Sequence, residues 1–153
     1  MNIIIEGPDG AGKTFLANQL SEILGMGIRH FVAPQSKKEA EDQFSMYRDI
    51  GIDLYNTIFD RAWYSDMVYG PIFRNELIIT SNLMLELERG YDDLVVIYCT
   101  GDPEKMWDAA RQRGEDYVQT FKQFKEICKR YDDIFYNRFH NCPIHVRRAT
   151  GLN

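Results

Sequence analysis

The chain has 153 residues, of which 44% are hydrophobic and 27% are charged, and this composition predicts one globular domain over residues 1–153. A formal net charge of −5 argues against a broad binding surface for nucleic acid or for an anionic membrane. The first residues include only three consecutive isoleucines and no basic segment, so neither a signal peptide nor a membrane span is expected. Three cysteines without a C-x-x-C pair suit a reducing compartment, and we expect a cytoplasmic protein.

Apolar runs with strand character alternate along the chain with segments of helical periodicity. The strand-like runs lie at about 2–6, 28–33, 55–60, 93–100 and 143–148. Helices are predicted from Lys13 to a stop at Gly25, over 36–50, over 77–87, from Asp102 to Gly114 and over 118–135. The 77–87 segment is apolar on nearly all sides, which predicts a buried helix. This alternation predicts a three-layer α/β sandwich, a five-stranded parallel sheet with helices on both faces.

A glycine-rich motif follows the first strand directly. Residues 7–14, GPDGAGKT, fit the pattern G-x-x-x-x-G-K-[ST] between a strand and a helix, the context that a phosphate-binding P-loop requires. Glycines let successive backbone N–H groups reach one phosphate, and a glycine turn without a ligand is the alternative. We expect ATP phosphates to contact Gly7, Gly10, Ala11, Gly12, Lys13 and Thr14. Lys13 supplies charge for the outer phosphates and the Thr14 hydroxyl binds Mg²⁺, so the sequence predicts an ATP–Mg²⁺ site.

The third strand-like run ends in an acid, Asp60, followed at once by Arg61. In a parallel sheet Asp60 lies beside the mouth of the P-loop, where it would hold Mg²⁺ or contact an acceptor hydroxyl. Arg61 would meet an anionic group, and an ion pair at the strand end is the alternative. The sequence lacks an N-K-x-D run and an apolar strand ending in Asp-Glu, which weakens a GTPase or a hydrolytic ATPase and favours a kinase.

Three motifs in this order resemble the thymidylate kinase branch of the P-loop nucleoside and nucleotide kinases. The family pattern E-G-x-D-G-x-G-K-T matches residues 6–14, and D-R-x-x-x-S-x-x-x-Y matches Asp60, Arg61, Ser65 and Tyr69. The third likeness is the helix from Asp102-Pro103-Glu104 to residues 111–114, RQRG, which in the family enters a basic lid. The likeness covers residues 2–136 and implies a P-loop kinase domain with ATP- and Mg²⁺-dependent phosphoryl transfer. The compactness of this chain resembles that of viral or prophage members of the family.

The resemblance implies a role for each matching residue. Asp9 would contact the acceptor sugar, Arg61 would bind the acceptor phosphate, and Ser65 and Tyr69 would line the acceptor pocket. The lid cations would be Arg111 and Arg113, with an ordinary helix end as the alternative for Arg113. Relatives often dimerise through helices near residues 75–89, which makes a homodimer an expectation here.

Four aromatic residues follow Arg61 closely: Trp63, Tyr64, Tyr69 and Phe73. A nucleobase stacks well on such rings. We therefore expect Tyr64 in the acceptor site and Arg74 facing the carbonyls of the base. The alternative is that at least half of these aromatic rings belong to the core.

Departures from the family pattern bear on the acceptor. The second strand ends in residues 31–34, FVAP, where the family usually presents Glu-Pro, and only some 20 residues separate the second strand from the third. A nucleoside acceptor needs a base for its hydroxyl, and Glu6 is a candidate near the P-loop. The leading hypothesis is a deoxynucleoside monophosphate kinase that favours a dTMP-like pyrimidine. The alternatives are a deoxynucleoside kinase acting on a 5′-hydroxyl and, from another class, a nucleotide-dependent switch or binding module.

Overall fold

The computed structural model describes residues 1–53, 55–136 and 145–151. Within these ranges, strands and helices alternate as the sequence predicts. The elements in chain order are β1 (Asn2–Glu6), α1 (Lys13–Leu24), β2 (Gly27–His30), α2 (Lys37–Asp53), β3 (Thr57–Asp60), α3 (Trp63–Phe73), α4 (Ser81–Arg89), β4 (Leu94–Thr100), α5 (Pro103–Gln112), α6 (Phe121–Tyr136) and β5 (His145–Thr150). None of the helices in the described ranges has the length and apolar character needed to cross a membrane.

The five strands form one parallel sheet in the order β2-β3-β1-β4-β5. Strand β1 is central, and all five of its residues are buried. Because successive side chains of a strand point to opposite faces, burial of Ile3, Ile4 and Ile5 together requires cover on both sides. The predicted five-stranded α/β sandwich is confirmed. Its register sets Ile5 opposite Asp60, so the ends of β1 and β3 meet at one edge.

The P-loop is wedged between the end of β4 and helix α5. Gly7 and Gly10 have φ angles of 144° and 77°, a region that favours glycine. A Cβ on Gly7 would overlap the carbonyl oxygen of Cys99, and a Cβ on Gly10 would overlap that of Met106. These two glycines therefore allow both the curl of the loop and its close approach to the neighbouring backbone.

Helix α3 carries most of the aromatic segment and is not predicted by sequence periodicity. Six of its eleven residues are buried, from Trp63 to Gly70, so no polar face marks its period. The helix ends at Phe73, and Arg74 N–H donates to the Gly70 carbonyl at 2.9 Å. Its burial makes most of the residues after Arg61 part of the hydrophobic core.

The prediction of a helix over 77–87 that is buried on all sides is wrong in its start and in its burial. Helix α4 begins at Ser81, because the Thr80 side chain accepts a hydrogen bond from the Leu83 N–H as an N-cap. Leu77 lies before the helix with 54% of its surface exposed. Only one side of α4 is buried, through Met84, Leu87 and Glu88.

We expect Gly10→Ala to lower the free energy of unfolding by about 3 kcal/mol, because strain at positive φ adds to the overlap with the Met106 carbonyl. Gly27→Ala in β2 is the matched control, since nothing lies within 4 Å of its Cβ position. Urea unfolding of both variants measures the difference. Equal stability of the two variants would contradict the tight packing of the P-loop.

Candidate active site

Lys13 is the first residue of α1, near the end of the P-loop, and is buried. Its Nζ donates to the Pro8 carbonyl at 2.7 Å and lies 3.9 Å from Asp9 Oδ1. Burial lowers the pKa of Lys13 to about 8, with the positive charge of Arg61 acting in the same direction. A cation with so little hydration gains strongly from an anionic ligand, which fits the predicted phosphate site.

A hydroxyl and a carboxylate meet where α1 starts and β3 ends. Thr14 Oγ1 donates to Asp60 Oδ2 at 3.4 Å. Mg²⁺ prefers oxygen ligands and is usually held by one or two protein groups together with water and substrate phosphates. The pair Thr14 and Asp60 fits that pattern. The described residues contain no group of three or more His, Cys, Asp or Glu side chains that would hold a metal ion by themselves.

His30 is a neighbour of this pair that sequence analysis missed. It is the last residue of β2, and its Nδ1 lies 3.0 Å from Asp60 Oδ2. The register of the parallel pair β2–β3 sets His30 opposite Asp60. The contact between His30 and Asp60 results from the pairing of β2 with β3, and no local motif in the sequence predicts that pairing.

Arg61 joins the P-loop to the elements behind it. Its φ of 69° turns the chain sharply after β3. Its Nη1 donates to the Gly7 carbonyl at 3.2 Å, to Ser65 Oγ at 3.2 Å and to Tyr131 Oη at 3.1 Å. Its Nη2 forms an ion pair with Asp9. The guanidinium is thus fixed between the P-loop, α3 and α6.

Glu6, the last residue of β1, is 0% exposed and supports this arrangement. Its carboxylate accepts hydrogen bonds from the Ala62 N–H at 2.7 Å, from Ser65 Oγ at 2.8 Å and from Tyr131 Oη at 3.0 Å. Burial raises the pKa of Glu6, and Arg61 opposes that shift. Since the carboxylate is enclosed and its oxygens accept these bonds, Glu6 is placed to orient its neighbours and not to contact a substrate.

A cavity of about 190 Å³ opens beside the P-loop. Five of the six residues predicted for acceptor binding line it: Asp9, Arg61, Ser65, Tyr69 and Arg74. Its other lining residues are Phe31, Val32, Ala33, Pro34, Gln43, Tyr47, Ala62, Asp66 and Tyr117. Asp9 belongs to the P-loop and Arg61 contacts it through Gly7 and Asp9, so the cavity adjoins the phosphate-binding loop.

An ion pair of Arg74 with Asp66 borders the cavity away from the P-loop. Arg74 Nη1 also donates to the Pro34 carbonyl at 3.2 Å. Burial raises the pKa of Asp66, and Arg74 opposes the shift. Within the described part of the chain, Asp66 Oδ2 and Arg74 Nε have no hydrogen-bond partner. Sequence analysis missed Asp66 because it lies on α3, the helix that it did not predict.

The expectation that Tyr64 lines the acceptor site needs correction. Tyr64 is 0% exposed, and its hydroxyl donates to Glu88 Oε1 at 2.6 Å, inside the core. Trp63 is equally buried, whereas Tyr69 lines the cavity and Phe73 packs on the Tyr69 ring. About half of the aromatic cluster is therefore core, since α3 turns one side towards α4 and α6 and the other towards the cavity.

The two lid arginines lie in different environments. Arg113 follows the end of α5, and its Nε donates to Glu115 Oε1 at 3.2 Å. Its charge reaches the P-loop: burial raises the pKa of Asp9, but Arg61, Lys13 and Arg113 outweigh burial and lower it. The Arg111 guanidinium instead lies 4.2 Å from the Trp107 ring centre and donates to two backbone carbonyls, those of Val118 and Gln119.

Comparison with known proteins finds no matching family model and no matching curated protein. Among solved structures, the chain is similar to the YorR protein from Bacillus subtilis in complex with phosphorylated GDP. The two are 25% identical with a TM-score of 0.80, over 98% of this chain and 85% of that chain.

The chain is also similar to deoxyadenosine kinase from M. mycoides. The structure with the products dCMP and a flexible dCDP bound is 20% identical with a TM-score of 0.65, over 95% of this chain and 88% of that chain. The structure with bound dATP is 19% identical with a TM-score of 0.63, over 97% and 91%. At this identity the likeness establishes the fold alone, a five-stranded parallel sheet with helices on both faces.

We expect Tyr64→Phe to lower the free energy of unfolding by about 1–3 kcal/mol, because it removes a buried hydrogen bond to a carboxyl group. Nucleotide affinity should stay unchanged, since Tyr64 lies outside the cavity. Tyr55→Phe, at an exposed position, is the control. Urea unfolding and calorimetric nucleotide titration measure both effects, and weaker nucleotide binding by Tyr64→Phe at full stability would return Tyr64 to the acceptor site.

Proposed function

We propose that the protein transfers the γ-phosphoryl group of ATP to a deoxynucleoside monophosphate, as in the thymidylate kinase-like branch of the nucleotide kinases. The observation that carries this proposal is the cavity beside the P-loop, which is lined by Asp9 of the loop and by its ion-pair partner Arg61. The structural likeness to YorR bound to phosphorylated GDP and to a deoxyadenosine kinase supports a nucleotide ligand.

The roles of the residues follow from the chemistry of phosphoryl transfer. Its transition state is loose, so catalysis consists mainly of positioning and of neutralising charge on the transferred group. The P-loop backbone would hold the ATP phosphates with Lys13, and Thr14 and Asp60 would hold Mg²⁺. Arg61 would bind the acceptor phosphate, and Arg113 would approach the transferred group from the lid.

The acceptor is proposed to be a monophosphate because the cavity offers it cations, while the carboxylates in the cavity wall are paired with arginines. The segment after β2 carries Ala33 in the cavity wall, whereas the family that the sequence resembles usually presents a glutamate there. Glu6, the other candidate base, is completely buried. An anionic acceptor needs no deprotonation, and Arg61 and Arg113 supply the positive charge.

A deoxynucleoside kinase is the second candidate, and one contact favours it. Asp60 is the carboxylate that directly precedes the cavity residue Arg61, and His30 Nδ1 lies 3.0 Å from its Oδ2. A carboxylate oriented in this way is suited to accept the proton of a 5′-hydroxyl. The two candidates share the ATP site and differ only in the acceptor.

For the base, we propose a single-ring pyrimidine such as thymine. Asp66 and Arg74 present an acceptor next to a donor, and the edge of a pyrimidine presents the complementary pair. Tyr69 supplies an aromatic face in the same wall.

A coupled assay of ADP release over a panel of deoxynucleosides and their monophosphates tests the function. We expect stimulation by monophosphates, strongest for pyrimidines. Stimulation by free deoxynucleosides would assign the protein to the second candidate. Slow ADP release that no acceptor changes would indicate a nucleotide-dependent switch and contradict both kinase assignments.

Arg113→Ala should lower kcat by roughly 10²–10³-fold while the acceptor KM changes little, because a lid cation acts mainly on charge in the transition state. Arg130→Ala is the control, since Arg130 pairs with Glu126 on the surface of α6. Steady-state kinetics of both variants measure kcat and the acceptor KM separately. A change confined to the acceptor KM would make Arg113 a binding residue.

Asp66→Asn should raise the acceptor KM by about 10–100-fold with the ATP KM unchanged, because charged hydrogen bonds contribute more than neutral ones. Asp92→Asn, at an exposed position, is the matched control. Kinetics with each base of the panel measure the effect. An acceptor KM equal to that of the wild type would remove Asp66 from base recognition.

A further inference from the structure

The connector between α5 and α6 forms part of the cavity wall. Tyr117, in the middle of residues 113–120, is among the residues that line the cavity. Its ring centre lies 4.7 Å from that of Phe73 and 6.3 Å from that of Tyr69. The segment that carries the lid cation Arg113 therefore also places an aromatic ring against the acceptor site.

The connector is fixed on both sides of Tyr117. Before it, the Glu115 N–H donates to the Ala110 carbonyl at 3.0 Å. After it, Val118 is buried, and its carbonyl accepts a hydrogen bond from Arg111 Nη2 at 3.0 Å. The same nitrogen donates to the Gln119 carbonyl at 3.1 Å. Arg111 thus holds the backbone immediately after the ring that borders the cavity.

Arg111 is itself held against the Trp107 ring, at 4.2 Å from the ring centre. To reach a phosphate, its guanidinium would have to leave this ring and release two carbonyls. The Arg113 guanidinium has no such anchor in the described part of the chain: the one hydrogen bond of its side chain is to the exposed carboxylate of Glu115. The two arginines are therefore suited to different tasks.

We infer that Tyr117 is an acceptor-binding residue and that Arg111 is a positioning residue that holds Tyr117 in the cavity wall. The inference rests on the proposed function, in which the cavity binds the nucleoside part of the acceptor. A planar base packs favourably on an aromatic ring, so an acceptor in the cavity stabilises the connector in this position. Acceptor binding is thereby coupled to the placement of Arg113.

The test compares six variants: Tyr117→Ala, Tyr117→Phe, Arg111→Ala, Arg111→Lys, the double variant Arg111→Ala, Tyr117→Ala and the surface control Arg130→Ala. Acceptor KM, ATP KM and kcat are measured with the best acceptor of the panel, and binding of that acceptor is measured by calorimetry. We expect Tyr117→Ala to raise the acceptor KM about 10-fold and Tyr117→Phe, which keeps the ring, to leave it unchanged.

Arg111→Ala should also raise the acceptor KM, by about 3–10-fold, with ATP KM unchanged, although Arg111 is not among the residues that line the cavity. Arg111→Lys should restore part of the affinity, because lysine can still cover the Trp107 ring and donate to one carbonyl. The double variant Arg111→Ala, Tyr117→Ala should match Tyr117→Ala alone, since Arg111 acts through Tyr117.

Two outcomes would overturn the inference. A fall of kcat by 100-fold or more in Arg111→Ala with an unchanged acceptor KM would make Arg111 a cation for the phosphates. Effects that multiply in the double variant would show that the two residues act separately. Failure of the proposed function itself is seen independently, as a wild-type protein that no acceptor stimulates. Calorimetric binding of deoxynucleoside monophosphates to the same variants then decides the inference without turnover.

Discussion

The site depends on one partly buried guanidinium. Arg61 follows β3 in a left-handed backbone conformation and contacts the P-loop through Gly7 and Asp9. On its other side it contacts Ser65 of α3 and Tyr131 of α6. One side chain therefore fixes the distance between the phosphate-binding loop and the wall of the cavity. In the proposed reaction, this fixed distance would hold an acceptor in the cavity in line with the γ-phosphate of ATP.

A partly buried cation of this kind is stable only with close partners, and the fold provides them in two layers. Asp9 pairs with Arg61 directly. The hydroxyls of Ser65 and Tyr131 accept hydrogen bonds from Arg61 and in turn donate to the carboxylate of Glu6. Such a connected network orients each member more firmly than separate pairs would. The network is also a preorganised electrostatic environment, which is the main requirement for stabilising charge on a transferred phosphoryl group.

The spacing of glycines, lysine and threonine in residues 7–14 predicted the P-loop. The predicted parallel sheet placed Asp60 beside this loop, and the structure shows a hydrogen bond between Thr14 and Asp60. The rest of the site depends on packing between distant segments. His30 lies next to Asp60 because of the register of their strands. Asp66, the ion-pair partner of Arg74, lies on α3, which lacks a polar face and therefore shows no helical period in the sequence. The same burial explains the misplacement of Tyr64, because an aromatic residue in the core and one in a binding wall look alike in sequence.

The most direct test of the account is whether one ligand can occupy both sites at once. Thymidine joined to adenosine through five phosphates carries both nucleosides of a monophosphate kinase, and calorimetry in the presence of Mg²⁺ measures its affinity. If the cavity beside the P-loop is the acceptor site, one molecule should bind per chain, at least about 100-fold more tightly than ATP. An affinity no greater than that of ATP would show that the cavity and the P-loop do not serve a common reaction.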